Sequence, residues 1–259
     1  MARLVRDGVA LAYEELGTRR PQLLFVHGAA CNRRFWAAQI RFFAPRHRVI
    51  AVDLRGHGES DAPPQQYTIR AFADDLAWLC AALEIERPAV IGHSLGGLIA
   101  LEFAGAYPDR AVAVALIDSV LLPSGDRRGT VDALVAGLRS AAGEATLRDY
   151  FETFFGPHDD PTRKAWILDQ AVRTPAHVTS SVWEESLRSW DDAAALCRCQ
   201  APLLYLDAGT PNADLARATE LRPELLIGRT IGSGHFSPLE VAGQVNAMLD
   251  RFLTLTWSG

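Results

Sequence analysis

The sequence has little lysine and no basic stripe. Of its 26 basic residues only Lys164 is a lysine, the arginines stand mostly singly or in pairs, and the formal net charge is −5. A nucleic-acid-binding surface needs clustered positive charge to neutralise phosphates. We therefore expect no nucleic-acid partner.

Long apolar runs are also missing. No segment approaches the roughly 18 uninterrupted apolar residues that suggest a membrane span. The first residues, MARLVRDGVALAYEELG, contain no apolar stretch of signal-peptide length. These absences predict no membrane association and a cytoplasmic location.

Cysteine is scarce and its spacing is not that of a zinc site. Of Cys31, Cys80, Cys197 and Cys199, the last two are separated by one residue, whereas zinc-binding pairs usually have two or more between them. We interpret all four as reduced thiols with mostly structural roles. This spacing predicts no zinc site, and the sequence as a whole predicts neither a metal nor an organic cofactor.

The composition that is present is that of an ordinary globular protein. Hydrophobic residues make up 49% and charged residues 22% of 259 residues, which suits one α/β domain. Short β-branched runs alternate with helical patterns, which predicts a largely parallel sheet covered by helices on both faces. The clearest strands are predicted at residues 22–28, 48–54, 88–94, 113–119 and 202–209. A hairpin that turns at Asp7 and Gly8 is predicted to precede them.

Two helix starts and one large insertion stand out. Thr68 is predicted to cap a helix over the following residues, and Ser237 is predicted to cap another, with Pro238 first in the helix and Glu240 completing a capping box. From about residue 121 to 199 the alternation gives way to a helical pattern rich in aromatic residues. We predict a core of residues 1–120 and 200–259, with residues 121–199 inserted beside a ligand pocket.

The pentapeptide from Gly92 to Gly96 has the form G-x-S-x-G around Ser94. It follows a predicted strand and precedes a predicted helix, the context in which a serine is exposed on a sharp turn as a nucleophile. His27-Gly28-Ala29-Ala30 follows the first strong strand. Its small residues suit a loop in which the N–H of Ala29, together with that of Leu95, forms an oxyanion hole. His27 is expected to hold this loop in place.

Several longer motifs occur in a familiar order. VHGAACNRRFW, VIAVDLRGHGESDAP, VIGHSLGG, YPDR and GSGHF follow one another between residues 26 and 236. With them the chain resembles the α/β-hydrolase fold superfamily, and within it the esterase, lactonase and carbon–carbon hydrolase branches that carry a helical cap. The resemblance implies a mostly parallel central sheet, helices on both faces, and a triad in the chain order serine, acid, histidine.

His235 is the predicted base of that triad. It stands late in the chain, among glycines, just before the helix start at Ser237. The expected order of the triad therefore pairs it with Ser94 and leaves the acid to be found between the two.

The acid is not unambiguous in the sequence. Relatives often carry G-x-x-D after the strand that corresponds to residues 202–209, but here the segment from Gly209 ends in Asn212. Four alternatives remain: Asp118 at the end of the preceding strand, Asp214, Asp207, or a neutral Asn212 that orients the histidine. Asp118 is the preferred prediction, with Asp214 second, because the missing aspartate suggests that the acid has moved. Asp53 precedes Ser94 and is interpreted as a strand-end residue that binds local loops.

Together these features predict a serine hydrolase that cleaves a small, largely apolar ester or lactone through an acyl-enzyme. The alternatives are a carbon–carbon bond hydrolase and a slow-turnover ligand receptor that retains the triad. Relatives that displace halide or open epoxides carry aspartate at the nucleophile position, so Ser94 argues against those reactions. The predicted partner is a small-molecule substrate, and the oligomeric state stays open.

Overall fold

One sheet of eight strands organises the part of the chain that the computed structural model describes, residues 1–123, 127–156, 159–209 and 212–257. Its order is β1-β2-β4-β3-β5-β6-β7-β8. The strands are β1 (Ala2–Arg6), β2 (Val9–Leu16), β3 (Leu23–Val26), β4 (Val49–Val52), β5 (Ala89–His93), β6 (Ala113–Ile117), β7 (Leu203–Asp207) and β8 (Leu226–Arg229).

The strand directions match a mostly parallel sheet. Strands β3 to β8 are mutually parallel, whereas β1 and β2 pair with each other, and β2 with β4, in antiparallel fashion. The predicted hairpin is confirmed, because Asp7 and Gly8 both have positive φ, 51° and 82°, as a tight two-residue hairpin turn requires.

The five strongest predicted strands correspond to β3–β7, each shorter than predicted at one or both ends. The edge strand β8 is absent from that prediction. Its residues lie at the margin of the sheet with Leu226 and Ile227 exposed, so it lacks the pattern of a strand buried on both faces.

Helices connect and cover the strands. The α-helices of the described residues are α1 (Ala37–Phe43), α2 (Ile69–Ala82), α3 (Leu95–Ala106), α4 (Arg127–Leu138), α5 (Gly143–Glu152), α6 (Pro161–Ala171), α7 (Ala176–Glu184), α8 (Asp192–Arg198), α9 (Leu215–Leu221), α10 (Ser237–Glu240) and α11 (Ala242–Thr256). None of the helices in these ranges is long and apolar enough to cross a lipid bilayer.

The core lies on both faces of the sheet. Along β3, Leu23 and Phe25 face a layer formed by α1 and α11, while Leu24 and Val26 face the layer of α2 and α3. Because successive strand residues point to opposite faces, both faces of β3 are buried in full, and each such side chain contributes about 1.5–3 kcal/mol. The sheet therefore holds the carboxyl ends of its central strands rigidly.

The predicted cap of α2 is confirmed. Thr68 has extended backbone, and its hydroxyl accepts a hydrogen bond from the N–H of Ala71 at 3.1 Å. This bond satisfies one of the free N–H groups in the first turn of the helix.

The predicted capping box near the end of the chain is wrong in its details. Phe236, not Ser237, precedes the first helical residue, and the Glu240 carboxylate accepts from the N–H groups of Gly234 and Phe236 at 2.5 and 3.0 Å. The helix α10 ends at Glu240, and Val241 separates it from α11. Glu240 thus fastens the loop around His235 instead of closing a box with the Ser237 hydroxyl.

The segment between β6 and β7 is helical, as predicted, and contains α4 to α8. Within this insertion, α4 contacts both α5 and α7. Its interpretation as a separate unit over residues 121–199 stays a prediction.

Candidate active site

Ser94 lies on a sharp turn between β5 and α3. Its backbone has φ 53° and ψ −120°, a strained conformation for a residue with a side chain. The turn is held by two bonds, from the Ser94 N–H to the Ile117 carbonyl at 2.9 Å and from the Ser119 hydroxyl to the Ser94 carbonyl at 2.8 Å. The neighbouring strand β6 therefore offsets part of the strain.

Glycines on either side make this turn possible. A Cβ at Gly92 would lie 2.0 Å from the Gly96 carbonyl oxygen, and a Cβ at Gly96 would lie 2.1 Å from the carbonyl oxygen of Val26. Both distances are far below van der Waals contact with rigid backbone. The two glycines of the G-x-S-x-G motif are thus required by the close approach of β5, α3 and β3.

His235 lies in the loop before α10 and faces a carboxylate. Its Nδ1 lies 2.6 Å from Oδ2 of Asp118, and both side chains are buried. A neutral imidazole that donates from Nδ1 carries its lone pair on Nε2. Ser94 and His235 line the same cavity, so the structure brings the predicted nucleophile, base and acid together.

Asp118 follows β6 and is fully buried. Besides His235, its Oδ2 accepts from Nδ2 of Asn212 at 2.8 Å, and its Oδ1 accepts a longer bond from the Ala208 N–H at 3.4 Å. Three donors therefore surround the carboxylate, which compensates for its loss of water.

The other acid alternatives have local roles. Asp214 caps α9 by accepting from the Arg217 N–H at 3.0 Å. Asp207 accepts from the Gly209 N–H and from Nε of Arg229, both at 2.8 Å. The amide of Asn212 binds Asp118, so the structure does not show it orienting the ring of His235 directly.

Asp53, set aside from the triad because it precedes Ser94, binds the loops at the end of β4. Its buried carboxylate accepts from the backbone N–H groups of Arg33 at 2.7 Å and Glu59 at 2.9 Å. It also forms an ion pair with the Arg33 guanidinium.

Two further histidines form hydrogen bonds with backbone groups around the site. His93 Nε2 lies 2.7 Å from the carbonyl oxygen of His235, and burial holds the pKa of His93 well below its ordinary value. His27 bonds the Gly28 carbonyl through Nδ1 at 2.7 Å and accepts from the Leu54 N–H through Nε2 at 3.0 Å. Burial lowers the pKa of His27 to about 4, so this ring is neutral and ties the loop after β3 to β4.

The two predicted oxyanion-hole residues line the same cavity as Ser94. Leu95 is the first residue of α3, so its N–H belongs to the first turn, where N–H groups lack an acceptor within the helix. Ala29 follows β3, and both residues line the cavity beside Ser94. The positive end of α3 also points into this region.

The insertion supplies the opposite wall of the cavity. Its contributing residues are Tyr150, Phe151, Phe154, Val182, Trp183 and Ser186. Phe154 stacks on the His235 ring, with 4.3 Å between ring centroids and 26° between planes. The cavity is narrow, about 50 Å³, compared with about 300 Å³ or more for sites of drug-sized ligands.

Some contacts of the site have no signal in the sequence. Nothing in the local pattern indicates that Asn212 binds Asp118, or that Phe154, rather than Phe155, stacks on His235. Trp166, another aromatic residue of the insertion, packs on Phe35, with 4.8 Å between ring centroids. Within the described ranges no group of three or more His, Cys, Asp or Glu side chains is placed to hold a metal ion.

Comparison with known proteins identifies the family. A family model for the alpha/beta hydrolase fold matches residues 21–240. The chain belongs to the alpha/beta hydrolase fold family. Among whole-chain matches in this family, it is 28% identical to the AB hydrolase superfamily protein YisY of Bacillus subtilis, with 95% of this chain and 96% of that protein covered.

Solved structures of the family superpose over nearly the whole chain. The enol-lactonase of Burkholderia xenovorans is similar with a TM-score of 0.86 and 25% identity, covering 98% of this chain and all of that one. A thermophilic esterase of Thermogutta terrifontis gives 0.85 and 25%, covering 99% of each chain. Matches to uncharacterized mycobacterial proteins, 39% identical over 104 residues, cover only 29% of those proteins' length.

Proposed function

We propose that the protein is a serine hydrolase that cleaves a small, largely apolar ester or lactone. The observation that carries the proposal is the arrangement of three side chains. Ser94 lies at a strained turn and shares a cavity with His235, whose Nδ1 faces the buried carboxylate of Asp118. A hydroxyl nucleophile, a base and a group that orients the base are what acyl transfer requires.

In the proposed reaction, His235 Nε2 takes the Ser94 hydroxyl proton while Oγ attacks the substrate carbonyl carbon. The carbonyl electron pair moves to its oxygen, where the N–H groups of Ala29 and Leu95 stabilise the negative charge. The imidazolium is stabilised by Asp118 and returns its proton to the leaving alcohol as the carbon–oxygen bond breaks.

Water then attacks the acyl-enzyme in the same way. His235 removes its proton, the second oxyanion is held by the same two N–H groups, and the acid product leaves with Ser94 reprotonated. The cycle is complete with the groups already named.

The substrate class follows from the cavity walls and from the similar structures. The walls are mainly aromatic and aliphatic, and the space of about 50 Å³ favours a small acyl group. Two similar proteins of known structure are described as an enol-lactonase and an esterase. Both descriptions concern carboxylic esters in open or cyclic form, which supports this class for the present chain.

The test combines turnover of p-nitrophenyl butyrate with labelling by a fluorophosphonate. We expect continuous release of nitrophenol, one covalent adduct on Ser94, and loss of both in Ser94→Ala. The exposed serine in Ser140→Ala serves as the control and keeps both signals.

Other outcomes distinguish other functions. A single burst without turnover indicates a slow receptor, and an adduct without ester hydrolysis indicates another bond, such as carbon–carbon. If neither nitrophenol nor an adduct appears in the folded protein, the hydrolase proposal is wrong.

A further inference from the structure

The donors around the Asp118 carboxylate are unevenly divided between its two oxygens. Oδ2 faces Nδ1 of His235 at 2.6 Å and Nδ2 of Asn212 at 2.8 Å, whereas the contact of Oδ1 with the Ala208 N–H is longer, at 3.4 Å. The Asn212 amide donates in this contact, because an ionised carboxylate can only accept. The base and the amide therefore share one oxygen of the acid.

The charge of this carboxylate is compensated by donors and not by a fixed cation. Asp118 is fully buried, and among the described side chains no arginine or lysine forms an ion pair with it; its charged partner, once protonated, is His235. A buried carboxylate depends on hydrogen bonds for its stability, and such charge-assisted bonds are roughly twice as strong as neutral ones. Apart from the base, Asn212 supplies the shorter of the two bonds.

The backbone fixes the position of Asn212. The Leu121 N–H donates to the Asn212 carbonyl at 3.2 Å, and the Asp214 N–H donates to the Leu121 carbonyl at 3.0 Å. The two bonds belong to an isolated parallel bridge between Leu121 and Ala213. The segment that follows Asp118 is thus tied to the segment that contains Asn212, and the amide is held beside the carboxylate.

Asn212 also lies between the carboxylate and a surface groove. It is partly exposed and lines this groove together with Ala208, Gly209 and His235, whereas Asp118 is fully buried. Water from the groove can therefore reach Oδ2 only when the side chain of Asn212 is shortened.

An amide suits this position better than a second acid. Two carboxylates whose oxygens lie 2.8 Å apart cannot both stay ionised, so an aspartate at position 212 would bind a proton jointly with Asp118. The neutral amide donates to Asp118 without this competition. The asparagine at the position where relatives often carry an aspartate therefore fits an acid located at Asp118.

We propose that Asn212 is a positioning residue that acts on His235 through Asp118. By donating to the oxygen that faces the ring, Asn212 fixes that oxygen and takes up part of its negative charge. The imidazolium of His235 is then stabilised less, so the ring remains neutral, and able to accept the Ser94 proton, down to a lower pH. This inference rests on the proposed function and concerns the readiness of its base.

The test is the pH profile of kcat/KM for p-nitrophenyl butyrate in Asn212→Leu, which removes the donor and keeps a side chain of similar size. Without the donor, Asp118 stabilises the imidazolium more strongly, and we expect the midpoint of the acid limb to rise by about one pH unit. Below both midpoints kcat/KM is then about tenfold lower than in the parent. The deficit becomes smaller toward alkaline pH, where the ring is neutral in both proteins.

Two further variants separate positioning from general damage to the loop. Asn212→Ala lets water from the groove donate to Oδ2, so its midpoint rises by less, about half a unit. Asp214→Ala removes the cap of α9 from the same loop without touching a donor of Asp118, so it lowers the Tm and leaves the midpoint unchanged. If Asn212→Leu does not fold, the midpoint of Asn212→Ala decides.

Nuclear magnetic resonance assigns the kinetic midpoint to one residue. The ring protons of His235, identified by their loss in His235→Gln, are titrated in the parent and in Asn212→Leu without substrate. We expect their midpoint to rise together with the kinetic one. A kinetic rise with no rise for His235 contradicts the inference.

The outcome is separable from that of the proposed function. If the parent hydrolyses the ester and labels at Ser94, yet the midpoint is unchanged or lower in Asn212→Leu, this inference is overturned and the hydrolase proposal stands. A loss of activity by the same factor at every pH overturns it equally, because a merely structural role gives that result. Absence of turnover and of labelling in the folded parent overturns the hydrolase proposal itself.

Discussion

The two sides of the cavity are built on different principles. On the sheet side, Ser94 and Asp118 follow adjacent strands with positive φ values of 53° and 46°, and each is tied to a neighbouring strand by its own N–H. On the insertion side, the wall consists of side chains such as Phe154 and Trp183 that are positioned by packing. The sheet side is therefore rigid through its backbone, whereas the insertion side can change by substitution.

The difference extends to polar chemistry. The sheet side contains a continuous chain of hydrogen bonds in which Asn212 binds Asp118, Asp118 binds His235, and the His235 carbonyl binds His93. The described insertion side chains that line the cavity are mostly apolar. We infer that the reacting groups belong to the sheet and substrate selection to the insertion, and the following predictions test that division.

The largest effect is expected from Asp118→Asn on the sheet side. The amide cannot compensate the charge of a protonated His235, and we expect kcat for p-nitrophenyl butyrate to fall about 10³–10⁴-fold. The matched variant Asp214→Asn affects only the cap of α9 and keeps activity near the parent level. Steady-state kinetics of both variants decide between the two acids, and the reverse result would assign the role to Asp214.

Gly96→Ala tests the backbone contacts of the turn. The new Cβ would meet the Val26 carbonyl oxygen at 2.1 Å, so either β3 or the turn must move. We expect a loss of about 3 kcal/mol or more in the free energy of unfolding, at the upper end of what overpacking costs. Urea denaturation measures it, with Gly243→Ala in α11 as the control, because nothing lies within 4 Å of its Cβ.

Acid pH tests two buried neutral histidines of the sheet core, His27 in the loop after β3 and His57 in the loop after β4. Burial lowers the pKa of His27 to about 4 and that of His57 to about 3. At pH values between these folded-state pKa values and the unfolded value near 6.5, the unfolded chain therefore binds more protons than the folded chain. Stability is lost as the pH falls through that window. As the pH falls from 7 to 5, protonation of each of these histidines in the unfolded chain is expected to lower the free energy of unfolding by about 2 kcal/mol.

Urea denaturation at the two pH values measures this slope. His57→Gln should be less sensitive to acid than the parent, whatever its stability at pH 7. Replacing the exposed His177 of the insertion should leave the slope unchanged. An equal response to both substitutions would contradict the assignment of acid sensitivity to the buried histidines of the sheet core.

The smallest effect is expected on the insertion side. Phe154→Ala opens the wall over His235, so esters with longer acyl chains should gain relative to p-nitrophenyl butyrate by about threefold to tenfold in kcat/KM. Phe155→Ala is the control, since Phe155 stacks instead on Phe236 with 5.5 Å between centroids. A collapse of kcat for all chain lengths in Phe154→Ala would show that the insertion also positions the base.

Local sequence patterns predicted a structural feature correctly where a few consecutive residues determine it. The strands β3–β7, the hairpin at Asp7 and Gly8, and the Thr68 cap each depend on a few consecutive residues. They failed where a competing partner was nearby. Glu240 binds the N–H groups of Gly234 and Phe236, so the capping box predicted at Ser237 does not form.

The choice of the acid shows the same limit at longer range. The sequence has three candidate aspartates between Ser94 and His235, namely Asp118, Asp207 and Asp214. Only the folded chain places one of them 2.6 Å from the histidine, across 117 residues of sequence. Backbone direction at the end of β6, which no short motif encodes, makes that difference.

By itself the sequence determined the alternation of strands and helices, the turn at Ser94 and the glycines around it, because these depend on neighbouring residues and on the absence of a Cβ. Tertiary structure alone decided that Asn212 supports Asp118 and that Phe154 covers His235. These contacts join residues far apart in the chain, so they exist only once the sheet and the insertion have packed against each other.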